Sequence, residues 1–148
     1  DEPFDELHVD GGVASQVFLY PASLDWDAVL QKLQVQGRPE VYVIRNSRFD
    51  PMYEEVDNRL FSIAGRSIES LVRTQGIGDL NRIYLETCRD GLDFNLAYIP
   101  RDFEDRSKEE FDPEYMKKLS DMAFERAKAG YPWDRLPPEL KQAPPNCR

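Results

Sequence analysis

His8-Val9-Asp10-Gly11-Gly12-Val13 is the stretch on which the fold class turns. Leu7 to Val9 is a short apolar strand candidate that runs directly into a carboxylate followed by two glycines. A strand ending this way sets an acid at its carboxyl end, on backbone that needs φ > 0, and that end is where open α/β sheets place their chemistry. Gly11 and Gly12 allow a tight turn beside a substrate, or the same turn with no substrate. Asp-Gly pairs are also the commonest hairpin signal, and most such aspartates only stabilise turns. Arg89-Asp90-Gly91-Leu92 reads as that plainer kind, joining a helical pattern to the strand candidate that follows.

The acid has no visible nucleophile beside it. None of the eight serines sits in a Gly-x-Ser-x-Gly elbow, and the nearest string, Gly65-Arg66-Ser67-Ile68-Glu69, lacks the second glycine and lies inside a helical pattern. The single histidine, His8, falls by period-two alternation on the same strand face as Asp10. A Ser–His–Asp triad would need the acid behind the ring, whereas two residues apart on a strand the side chains stand side by side, so a polar strand residue is the plainer reading of His8.

Working outward, Val41-Tyr42-Val43-Ile44 within Glu40 to Arg45 is an alternation-free run, as expected of a buried strand. Leu60, Ile63, Ala64, Ile68, Leu71 and Val72 repeat at helical spacing, and Leu80, Ile83 and Tyr84 resume it after Gly76 and Gly78, which predicts one kinked helix or two. Phe94 to Pro100 is a second apolar strand. This ordered set, from the Asp-Gly-Gly triplet through residue 103, resembles the patatin-like phospholipases, with the triplet matching their Asp-Gly-Gly or Asp-Gly-Ala motif. The resemblance implies an α/β chain forming the C-terminal part of a three-layer αβα fold over residues 1–130, with an incomplete, mainly parallel sheet, followed by a Pro-rich tail at 131–148. It further implies a Ser–Asp dyad that hydrolyses lipid acyl esters. Asp10 matches the dyad acid and Gly11 and Gly12 the substrate-side turn, while the serine elbow and glycine-rich oxyanion loop fall outside this chain. No cofactor and no metal is implied. The expected partners are the lipid ester and the upstream part of the same protein, with self-association through the incomplete sheet, and the isolated chain should be inactive.

A free aspartate, with a pKa near 3.9, is a weak base for a serine hydroxyl, so such a dyad requires a desolvated carboxyl within hydrogen-bond reach of the serine. No histidine is then needed. The competing expectation is a non-catalytic acidic interaction module that keeps the fold.

Composition narrows the classes. With 148 residues, 41% hydrophobic, the chain can bury one core. A net charge of −9 disfavours nucleic acid and gives no general attraction to anionic membranes, so a lipid would be met through a local apolar or basic patch. Cys88 and Cys147 are too few for a disulfide framework and carry no metal spacing. No transmembrane stretch or signal peptide stands in the sequence, and localisation stays open.

The remaining segments read as follows. Val13 to Tyr20 is strand or helix. Asp25 to Gln34 is a short amphipathic helix ended by Gly37 and Pro39, and Asn46 to Asn58 is a loop. Arg59, Arg66 and Arg73 share nearly one helix face, with Glu69 placed to pair them. Asp102 to Glu114 is an acid-rich surface loop. Asp112 and Pro113 cap a last helix whose Met116, Leu119, Met122, Ala123 and Ala127 should face the core before Gly130 ends it. The tail is expected to be extended, with Trp133 pinned to the core and only a weak polyproline signal.

Overall fold

The computed structural model describes residues 17, 19–21, 23–50, 57–105, 107, 111–145 and 147. Leu7 to Val9, His8, Asp10, Gly11 and Gly12 lie outside the described residues, as does most of Val13 to Tyr20. The described elements run α1 (Trp26–Leu33), β1 (Glu40–Arg45), α2 (Leu60–Arg89), β2 (Asp93–Tyr98) and α3 (Pro113–Lys128), an α/β arrangement.

The β-branched and aromatic run of β1 pairs in parallel with β2, in the register Val41 with Phe94, Val43 with Leu96 and Arg45 with Tyr98. Backbone bonds from Asp93 N–H to Pro39 O (2.9 Å) and from Ile99 N–H to Ser47 O (3.3 Å) extend the pairing at both ends. Two parallel strands need a long crossover, and α2 supplies it. One face of the pair, carrying Val43, Phe94 and Leu96, packs on Leu80, Ile83 and Tyr84 of α2, with Tyr84 set edge-on to Phe94 at 5.3 Å between centroids. Among the described residues no strand lies along the outer edge of β1.

Helix α2 is one continuous element of 30 residues, so neither Gly76 nor Gly78 breaks it. An interior glycine costs about 1 kcal/mol relative to alanine, which the burial of Leu80, Ile83 and Tyr84 in the next turns outweighs. The expected bounds of α1 hold: Asp25 caps its start, accepting from Ala28 N–H at 3.1 Å, and Gln34 caps its end, turning into the left-handed region (φ 52°) and bonding back to Leu30 and Gln31. The cap of α3 is as read: Asp112 accepts from Glu114 and Tyr115 N–H, and Pro113 opens the helix. Its stripe is not: no described α3 residue is buried, and Met116 is 52% exposed. The helix stands off the sheet and its apolar residues line a cavity instead.

The end of the chain belongs to the core. Asp134 exchanges both backbone bonds with Leu96, Pro137 is fully buried, and Trp133 meets Tyr42 edge-on at 4.9 Å. Cys88 and Cys147 form a disulfide, a pairing 59 residues apart in sequence that no local pattern announces. At the other end of the described chain, Asp79 holds Val17 N–H (3.4 Å) and Tyr20 donates to Asp90 (2.8 Å), so Val17 lies beside the middle of α2 and Tyr20 beside its end.

Asp90 confirms the turn reading: Gly91 follows at φ 69°, and the carboxylate is bound by Arg89 at 2.6 Å. The Arg89 guanidinium holds Asp90 below its ordinary 3.8, burial opposes this, and the Tyr20 hydroxyl adds to the lowering. A depressed native pKa contributes stability that is complete above the unfolded value and drains away as pH falls through the native one. Asp90→Asn should therefore lower Tm at neutral pH, and its gap from the parent should close as the pH is taken below 3.8. A gap that persists in acid would assign the loss to packing. Reduction of the disulfide, read by urea unfolding with and without reductant, should cost about 4 kcal/mol on the loop-entropy model.

Candidate functional site

The carboxyl ends of β1 and β2 are the functional end of a parallel sheet, because both chains leave it there and the flanking elements open a crevice. Two concavities meet at that end. The first, of about 400 Å³, lies between α3 and the sheet face that α2 does not cover. Ile44 and Ala97 form its floor, Leu119, Met122, Ala123 and Ala127 of α3 its roof, and Tyr98, Tyr131 and Trp133 close it laterally. Ile44 is 77% exposed because the helix above it stays out of contact. The aromatic wall is braced from within: Tyr131 donates to Tyr98 O at 3.5 Å and its ring lies 5.1 Å from that of Trp133.

The second cleft, about 370 Å³, is polar and lined by Arg45, Arg48 and Arg73 with Ser47, Asp50 and Glu69 among its walls. Arg45, Asn46 and Ile99 border both spaces, so the last residue of β1 and the first residue after each strand divide an apolar chamber from a cationic one. Arg45 is held in place: its Nε donates to Ser47 Oγ at 2.5 Å and its guanidinium lies 4.8 Å from the Phe49 ring centroid. Burial pushes its pKa down and the Asp79 carboxylate partly restores it. Arg48 donates to the carbonyls of Phe103 and Asp105 and sits over the Phe103 ring. The acids are engaged elsewhere, Asp50 with Arg101 and Glu69 with Arg66. The expected pairing of Glu69 is thus made to Arg66, at 2.5 Å, while Arg73 turns to the cleft.

This arrangement can bind but holds no reacting pair among the described residues. The titratable groups of the apolar chamber are Arg45, Tyr98 and Tyr131. Burial, then the Asp134 carboxylate, pushes the Tyr98 hydroxyl up, which keeps it neutral. Ser47 faces a guanidinium, which cannot take its proton. No group of three His, Cys, Asp or Glu side chains able to hold a metal occurs among the described residues. No protein-family model, curated protein or solved structure matches the chain.

Asp10, Gly11 and Gly12, the residues singled out by sequence, lie outside the described residues, so the structure neither joins them to these spaces nor separates them. The lining residues were not evident in sequence. Arg45 and Asn46 carried the one usable signal, a polar pair closing a strand whose apolar run reads as buried. In the structure only Val43 of that strand is buried, because the face carrying Ile44 looks into the chamber. Tyr131 and Trp133 lie in the Pro-rich tail, and the α3 stripe reads as ordinary core.

In a Trp26→Phe background Trp133 is the sole tryptophan of the two present, and it reports on the chamber. A medium-chain fatty acid should change its fluorescence saturably, and Ala123→Phe, which fills the chamber from α3, should weaken that binding at least about tenfold, or 1.4 kcal/mol. Equal affinity in the filled variant would remove the chamber as the binding site.

Proposed function

We propose that this chain is the C-terminal part of a patatin-like lipid acyl hydrolase of three-layer αβα architecture, in which Asp10 is the acid of a Ser–Asp dyad. The observation that carries the reading on the structural side is the apolar chamber at the carboxyl ends of two parallel strands. Its volume of about 400 Å³ falls in the range of small-ligand sites, and its lining suits an acyl chain. The cationic cleft across the shared wall of Arg45 and Asn46 suits the polar, negatively charged end of an amphiphile. The order of elements supports it as well: a strand at Glu40–Arg45, a long helix and a parallel strand at Asp93–Tyr98 follow the Asp-Gly-Gly triplet in the sequence order expected of that family. The outer edge of β1 is where further strands of a larger sheet would pair.

In this reading a serine from outside residues 1–148 attacks the acyl carbonyl, Asp10 accepts the hydroxyl proton, and backbone N–H groups supplied with that serine hold the oxyanion. Gly11 and Gly12 keep the backbone beside Asp10 free of side chains, so the acid can approach the hydroxyl. Asp10 passes that proton to the departing alcohol as the acyl-enzyme forms. The water that resolves the acyl-enzyme then gives its proton to the regenerated carboxylate, which returns it to the serine oxygen as the acid product leaves.

The chain alone should leave a p-nitrophenyl acyl ester at solvent background. Joined to a serine-bearing upstream region it should hydrolyse the ester, and Asp10→Asn, whose amide cannot take the proton, should lower kcat by about 10² to 10⁴. Undiminished kcat in Asp10→Asn, or substantial turnover by residues 1–148 alone, would overturn the dyad. In the second case the acidic interaction module fails too, since such a module has no catalysis.

A further inference from the structure

Helix α2 is amphipathic twice, in two directions. Gly76, Leu80, Ile83, Tyr84 and Thr87 of its second half are buried toward the sheet. In the first half the large apolar side chains point the other way: Phe61 is 89% exposed, Leu60 78%, Leu71 69% and Ile68 61%. At about 100° per residue the two apolar faces lie roughly 140° apart around the helix. The cause is length. Thirty residues of helix span about 45 Å, whereas strands of six residues span about 20 Å, so half of α2 outruns the sheet at its carboxyl end. There the sheet offers nothing to pack against.

That overhanging half also reverses the charge of the chain. Residues 59–75 hold Arg59, Arg66 and Arg73 against the single acid Glu69, within a protein of net charge −9. Spaced by seven, the arginines fall within about 20° of one another from turn to turn and form a row along the polar side. A helix with Phe, Leu and Ile on one side and arginines on the other is the form that lies in a membrane interface, with the apolar side sunk about 5–10 Å. Screening over roughly 8 Å at physiological salt lets the local cationic row, rather than the distant acids, set the contact.

We propose that the first half of α2, from Leu60 to Val72, docks on an anionic lipid surface. A second copy packed on the apolar side would not use the arginine row, which lies on the opposite side, whereas an anionic lipid interface engages both. Docking would set the cationic cleft, lined in part by Glu69, Val72 and Arg73, at the lipid surface. The inference does not depend on Asp10 or on hydrolysis; a chain inactive toward esters binds vesicles all the same.

Flotation of the 148-residue chain with vesicles of phosphatidylglycerol or of phosphatidylcholine tests it. The chain should float with the first and stay free of the second, and added salt should release it. Ile68→Glu with Leu71→Glu should abolish flotation while thermal melting stays unchanged, as expected at exposed positions; Phe61→Ser, the most exposed of the set, is the milder check on folding. Replacing Arg59, Arg66 and Arg73 by Gln should weaken binding to phosphatidylglycerol at least about tenfold. The proposal falls if the chain does not float with phosphatidylglycerol, or if the folded double-glutamate variant floats like the parent. It falls equally if sedimentation shows a dimer that the double variant dissolves, which makes a second copy the occupant.

Discussion

The parallel pairing of β1 with β2 is the constraint from which the rest follows. Parallel neighbours cannot be joined by a hairpin, so the chain has to travel back from Arg45 to Asp93, and the helix that does so must bury one side against the strands. Leu80, Ile83 and Tyr84 meet that demand against Val43, Phe94 and Leu96. The pairing also makes both strands release their chains at the same end. Arg45, Asn46 and Ile99 emerge side by side there and become the wall between the apolar chamber and the cationic cleft.

Much of the regular structure was legible from residue pattern, because its causes are local. The run Val41 to Ile44 marked β1, the Asp112-Pro113 cap marked the start of α3, and Asp90-Gly91 marked the turn into β2. Position 76–78 misled, since two glycines weigh against a helix only until burial in the following turns is counted. The α3 stripe misled for a related reason: periodicity says which side of a helix is apolar, not whether a neighbour comes close enough to cover it. The stand-off that leaves Leu119 and Met122 lining a space is a property of the tertiary arrangement.

The chamber was correspondingly hidden. Its walls come from β1, β2, α3 and the segment Tyr131–Trp133, and no short window of sequence holds more than part of it. Asp10, Gly11 and Gly12 stand in the opposite position: their signal is entirely in sequence, as an acid and two glycines after a strand candidate, and the described residues add nothing to it. The two halves of the functional reading therefore rest on independent observations, a motif on one side and a shaped, chemically divided crevice on the other.

The anchoring of the last residues has a consequence for how the sheet can recruit neighbours. Asp134 occupies the free side of β2 at Leu96, and the Cys88–Cys147 bond fastens the far end of that covering segment to the end of α2. Among the described residues the sheet is therefore guarded on one side only: an incoming strand meets Asp134 at β2, whereas no described strand lies along β1, so further pairing is directed to the β1 side. Reduction of the Cys88–Cys147 bond would remove the covalent clasp and leave that cover held by the Asp134–Leu96 backbone pair and the burial of Pro137 alone.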